Sequence, residues 1–320
     1  MDNIDSNEKL LAMPPLVVDA DEGLARFAST IQGTSARPAV RAMPPFLFAR
    51  QAKWLAAAAA VVIVATTLTM TGVADSILQI FEAKQVAAVT ITPTDIKTLG
   101  QLSQFGKLTW SGQPEPHQVA SLAAATAETG LPAISVRVPA SITAPATYGA
   151  MTRTTATFVF DASLAQASAA AIGRTAPPMP AKLDGSTLVF SGGPAIVISY
   201  GGEKASSGAL FVGVAKAPTV SSDGATVAEL QAYLISQPSV SPAFAAQIRA
   251  IGDPASTLPV PIPVGQAQTK NVSVHGTTGL FVGDSTGLGS GVIWVQNGLV
   301  YVVGGTLTES EVLAVANSLK

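Results

Sequence analysis

The chain has 320 residues, of which 48% are hydrophobic and 12% charged, with a formal net charge of −2 at pH 7. The length allows a sizeable core, and the near-neutral balance disfavours both a strongly basic nucleic-acid binder and an acidic disordered tail. With no cysteine, disulfides, thiolate zinc sites and a cysteine nucleophile are excluded, and the two histidines, His117 and His275, leave little for metal or acid–base chemistry.

Residues 1–53 read as a short cytoplasmic segment with one amphipathic helix. Asp19 caps it, Glu22 sits three residues on, and Leu24, Phe27 and Ile31 share one face before Gly33 stops it. A helix this short is marginal alone, so the stripe Leu24, Phe27, Ile31 is a candidate contact for an inner partner; a solvated leader is the plainer reading. Pro38, Pro44 and Pro45 mark a linker. From Trp54 to Ala74 no residue is charged, a length that spans about 30 Å as a helix and predicts a transmembrane segment. Arg37, Arg41, Arg50 and Lys53 precede it and only Lys84 follows closely, which places the N-terminus in the cytoplasm and residues 75–320 outside. A signal peptide cleaved after Gly72-Val73-Ala74 is the alternative, and it needs an unusually long leader.

Residues 75–320 alternate between helical and extended signals. Ile77, Leu78, Ile80 and Phe81 continue the helical pattern along the interface, and a further helix falls near 93–103. Lys107–Trp110 is strand-like, Pro116–Glu128 helical, Ala133–Val138 extended, and Thr155–Phe160 a half-buried strand. Asp161 caps an Ala-rich helix to Ile172. Thr187–Phe190, Ala195–Tyr200 and Ala209–Val214 are strands separated by glycine turns. Thr226 with Glu229 forms a capping box, and Ser241-Pro242 opens another helix. The four prolines of Pro254–Pro263 predict an extended connector crossing the sheet. Asn271–Val274, Gly279–Val282, Val292–Gln296 and Leu299–Val303 complete the strands, with Asn297-Gly298 as the clearest hairpin turn. Thr308 and Glu311 box a last helix in which Val312, Val315, Ala316 and Leu319 share a face. The expected fold class is α+β: an antiparallel sheet with packed helices behind one N-terminal transmembrane helix.

The run GVIWVQNGLVYVVGGTLTESEVLAVANSL, Gly291 to Leu319, resembles the DUF4367-type extracytoplasmic domain of bacterial membrane-bound regulators. AETGLPAISVRVPASI and SILQIFEAKQVAAVTIT resemble that family's opening and its stretch just outside the membrane. The resemblance covers the last thirty residues well and most of 75–320 loosely. It implies an anti-sigma-factor-like layout at the bacterial cell membrane: a short inner segment that meets a sigma factor or another transcription regulator, one span, and an outer sensor domain. The chain departs from the anti-sigma pattern in lacking any His/Cys zinc-binding helix motif.

Gly283-Asp284-Ser285-Thr286-Gly287 matches G-x-S-x-G, but glycines and a strand follow it where a nucleophile elbow needs a helix. No other constellation suggests catalysis, a metal or a cofactor, so the expectation is a non-enzyme without cofactors. Trp294 and Tyr301, on neighbouring hairpin strands, are candidate pocket residues; packing the sheet is the alternative role. The functional expectation is a single-pass signalling or regulatory protein. The alternative is a membrane-anchored envelope protein that binds an apolar or cell-wall ligand and has no cytoplasmic partner.

Overall fold

A computed structural model describes residues 77–95, 102–111, 116–201, 208–238, 240–285, 287 and 289–320. The expected inner segment 1–53, with Leu24, Phe27 and Ile31, and the expected span 54–74 lie outside the described residues. Among the described residues no helix is long and apolar enough to cross a membrane.

The strands form three sheets. The first has the order β1 (Leu78–Glu82), β10 (Thr219–Ser222), β7 (Thr187–Gly192), β6 (Thr154–Phe160) and β3 (Gly106–Trp110), all antiparallel. The second is a parallel pair, β2 (Gln85–Ile91) with β11 (Thr257–Pro263). The third has eight antiparallel strands. A meander of β12 (Ala267–Val274), β13 (Thr277–Asp284), β14 (Ser290–Gln296) and β15 (Leu299–Gly305) comes first. It continues through β9 (Leu210–Lys216), β8 (Ala195–Tyr200) and β5 (Ala146–Met151) to β4 (His117–Val119). Short helices accompany them: α1 (Leu122–Thr129), α2 (Ala162–Ala171), α3 (Val227–Ile235), α4 (Pro242–Arg249) and α5 (Glu309–Ser318), with helical residues at 93–95 and a 3-10 turn at Leu102–Gln104 where a helix near 93–103 was expected.

The α+β expectation is therefore corrected: the described protein is mostly antiparallel sheet with few helices. Two segments account for much of the difference. Ile77–Phe81 is no helix; β1 runs through it with a register shift between Gln79 and Phe81, and Ile80 and Phe81 enter different cores, as successive strand residues face opposite sides. Apolar residues at 77, 78, 80 and 81 fit either period, and pairing with β10 decides between them. In Pro116–Glu128 the first part is strand β4, and the helix begins only after Ser121, whose hydroxyl accepts the Ala124 N–H. Strands β2, β5 and β10 were not readable: QVAAVTI is apolar without alternation, ATYGAM is rich in small residues and TVSS is largely polar.

Three strands run through both large sheets. β5 continues into β6 across Thr152-Arg153, β7 into β8 across Gly193-Pro194, and β9 into β10 across Ala217-Pro218. The pairings keep step across the bend, Met151 with Ala195 on one side and Thr154 with Gly192 on the other. Gly193 turns at φ +65°, where a side chain would crowd the Met151 methyl and the Thr152 carbonyl. At the same level Ala83, between β1 and β2, donates its N–H to Pro218 O at 3.2 Å, and Ala217 donates to Gly298 O at 2.9 Å.

The eight-stranded sheet is covered on both faces around β14. Val292 and Trp294 enter one core with Val312, Val315 and Ala316 of α5; Ile293 and Val295 enter another with Leu258, Val260 and Ile262 of β11. This explains why β14 reads as an apolar run instead of an alternation. The five-stranded sheet has its core on one face, where Phe158, Phe160 and Leu188 meet Ala165 of α2 and Leu230 and Tyr233 of α3.

The expected proline-rich connector is strand β11. Proline lacks an N–H, so the ladder to β2 falls to Leu258, Val260 and Ile262, while Pro259, Pro261 and Pro263 face their backbone to the strand's open side. On the far side of β2, the Gln247 side-chain amide closes Thr90: its Oε1 accepts the Thr90 N–H, and its Nε2 donates to the Thr90 carbonyl at 3.0 Å. One glutamine there does the work of a neighbouring strand.

Candidate binding cavity

Asn297 and Gly298, both at positive φ, form the two-residue turn that joins β14 to β15 and fixes their register. That register sets Trp294 directly opposite Tyr301. Their rings stack with centroids 5.1 Å apart and planes 11° apart. On the other flank, Trp294 faces Gly279 of β13, where a Cβ would come within 3.2 Å of the tryptophan Cβ; a bare backbone makes the room. Trp294 is only 1% exposed, and its Nε1 is buried with no hydrogen-bond partner among the described residues. Burial also pushes the Tyr301 phenol above its ordinary pKa.

Two other segments close around the pair. His275 and Gly276, at φ 49° and 76°, make the β12–β13 turn, a second two-residue hairpin turn that sequence reading missed. The His275 N–H donates to Asn317 Oδ1 at 3.0 Å, and its Nε2 lies 3.1 Å from Ala316 O, tying the turn to α5. Because a carbonyl only accepts, Nε2 carries the hydrogen there. The second segment leaves α1 at Gly130, in the left-handed region, and runs extended past Leu131 and Ile134. It is laced to the end of α5: the Ser135 N–H donates to Lys320 O at 3.2 Å, and the Arg137 N–H to Ser318 Oγ at 3.2 Å.

Between these parts lies a cavity of about 250 Å³, walled by Pro132, Ile134, His275, Trp294, Tyr301 and Leu319. No acidic side chain is among its lining residues; Gln296 and Lys320 supply further polar groups. Trp294 belongs to the core, with Tyr301 packed against it, and both are among the residues that line the cavity. The signal that would have added His275 is the His-Gly pair between two alternating runs, a weaker form of the Asn-Gly turn.

The remaining residues of interest lie elsewhere. Ser285 sits exposed in the β13–β14 loop, where Asp284 donates its N–H to Gly289 O at 2.9 Å and a strand follows, so the elbow geometry is missing. His117 is on β4, not in a helix, and its Nε2 is 3.0 Å from Glu128 Oε2 at a half-exposed site. Among the described residues no group of three or more His, Cys, Asp or Glu could hold a metal. Leu24, Phe27 and Ile31 lie outside the described residues. No family model, no curated protein and no solved structure matches the chain.

Proposed function

We propose that the chain is a membrane-anchored binding protein whose region 77–320 takes a small ligand on the extracytoplasmic side. The observation that carries this reading is the cavity at the stacked Trp294 and Tyr301, which five separate chain segments converge to wall. A concavity with aromatic side chains on one wall and polar groups converging on it is a common form of small-molecule site, and here the wall is as polar as it is apolar. The uncharged run Trp54–Ala74 and the cations before it support the anchoring and the orientation.

A second reading adds an output to the same module. The stripe Leu24, Phe27, Ile31 and the resemblance of Gly291–Leu319 to the DUF4367-type domain favour an anti-sigma-factor-like regulator that meets a sigma factor or another transcription regulator inside the cell. A crosslinked pull-down from native membranes, comparing the full chain with one lacking residues 2–33, separates the two. A transcription regulator captured only by the full chain establishes the signalling reading, and Phe27→Asp should then abolish that capture. Identical partners from both chains leave the anchored binder. Loss of neither chain from the membrane fraction after alkaline washing is expected under both readings; release of the full chain would end both.

A further inference from the structure

We infer that the end of the five-stranded sheet carrying Leu78 rests on the lipid surface of the membrane that anchors the chain; this rests on the anchoring by Trp54–Ala74. The uncharged run stops at Ala74 and β1 opens at Leu78, so residues 75–77 alone join them, at most about 14 Å of chain. A helix as long as Trp54–Ala74 already spans the roughly 30 Å hydrocarbon layer, and headgroups add only about 5–8 Å on each side. The start of β1 is thus held in the headgroup layer or within about 10 Å of it.

The register shows what else lies at that end. Leu78 stands opposite Ser222, Ser222 opposite Leu188, and Leu188 opposite Phe158 of β6. One residue farther from the bend, β6 carries Val159 on its open face. The Asp161 cap follows, and then the first turn of α2 with Leu164. Leu78 is 72% exposed, and Val159 and Leu164 are each 37% exposed. Strands β1 and β6 are three sheet spacings apart, about 14 Å, so the three aliphatic side chains share one end of the sheet. Among the described residues outside this sheet and its helices, only Val264 leaves a large apolar side chain comparably exposed.

Charge and tethering select the occupant. Three acids stand at this end and each accepts a backbone N–H: Asp161 from Leu164, Asp184 from Ala162 and Asp223 from Thr187. Beside them are Lys107 and Lys182, the latter 3.9 Å from Glu229, so the balance does not favour anionic headgroups and the contact is apolar. A few aliphatic side chains hold a free protein on a bilayer only weakly. A span that tethers them raises their effective concentration to the order of mM, which makes a weak contact a populated one. A soluble partner has no such advantage.

The chain has no cysteine, so single probes can be placed without interference. The full chain is reconstituted in phosphatidylcholine vesicles with a bimane probe on Lys182→Cys or Val264→Cys, and headgroup-spin-labelled lipid serves as quencher. Lys182 belongs to the loop that the Asp184–Ala162 bond ties to α2; Val264 follows β11 and bonds Ile91, at the end of β2 farthest from Ala83. Emission at position 182 should fall by at least about half, and at 264 by less than about a tenth, since only the first meets the headgroup layer. Val159→Thr with Leu164→Gln keeps strand and helix preferences, and should restore at least about half of the lost emission with the melting temperature unchanged. Equal quenching at both positions, or at neither, overturns the surface and leaves the anchor. Quenching at 182 that the double variant does not relieve also overturns it, because the tether alone then accounts for the proximity. Quenching that requires phosphatidylglycerol overturns the apolar contact. Release of the full chain by alkaline washing removes the anchor, and the inference falls with it.

Discussion

The eight-stranded and five-stranded sheets share three bent strands yet differ in cover, and their sequences record the difference. In β14 every residue from Ser290 to Val295 is buried, because helix α5 lies on one face and the β2–β11 pair on the other. In β6 burial alternates: Ala156, Phe158 and Phe160 face the core, and Thr155, Thr157 and Val159 do not. Composition along a strand thus reports how many of its faces are covered.

Substitutions should break that contrast in proportion to cover. Ile293→Ala, on the β11 side of β14, should cost about 2–5 kcal/mol by denaturant unfolding, whereas Val159→Ala on the open face of β6 should stay within about 0.5 kcal/mol. Equal losses at the two sites would show that cover is not what separates the sheets.

The capping boxes should ignore the contrast. Thr308→Ala at α5, beside the doubly covered sheet, and Thr226→Ala at α3, beside the other, should each cost about 1 kcal/mol. Their glutamates add a pH dependence. The Thr308 backbone N–H first, and then its hydroxyl, hold Glu311 below the ordinary carboxylate range, and Thr226 does the same for Glu229. Depressed in the folded state, these groups give stability that is fully present above the ordinary glutamate value. It is lost as pH falls from there through the lowered folded value. Glu311→Gln should flatten that part of the stability–pH curve, measured by thermal melts between neutral pH and acid.

Smaller effects are expected where the sheets end. Lys270 of edge strand β12 pairs with Glu309 at 2.7 Å and lies 5.4 Å from the Phe281 ring centroid. Both partners are about half exposed, so Lys270→Ala should change stability by less than about 1 kcal/mol. A lysine on an edge strand discourages strand addition, and the variant should self-associate more readily in sedimentation. Pro261→Val should do likewise at β11, with little change in melting temperature, because it restores a donor on the open side.

What the sequence made legible follows the same physics. The β12–β15 meander, the Asn297-Gly298 turn and both capping boxes each have a local cause, in alternation, φ preference or a reciprocal side-chain bond. β2, β5 and β10 have none: these segments are strands because of what they pair with. The α+β expectation failed on those strands and on Ile77–Phe81, where local pattern is ambiguous and a partner far along the chain decides. At the cavity, Trp294 and Tyr301 were readable as an opposed pair from the hairpin register. His275 was not, because its place depends on the contact between its turn and α5.

That dependence on distant partners has a kinetic side. β1 pairs with β10, and β2 with β11, where Gln85 Nε2 reaches Thr257 Oγ1 at 2.8 Å across a sequence separation of 172 residues. Loops that large close slowly, and their contacts compensate only once the distant strand exists. A nascent chain halted before residue 257 would hold β2 without its mate, its apolar side chains uncovered and its ladder open. The five-stranded sheet and its core are complete in sequence by residue 235, whereas the eight-stranded sheet still lacks β12 to β15 at that point. Closure of the β2–β11 pair and of the eight-stranded sheet is therefore a late event, and until then the chain depends on whatever keeps those unfinished strands apart.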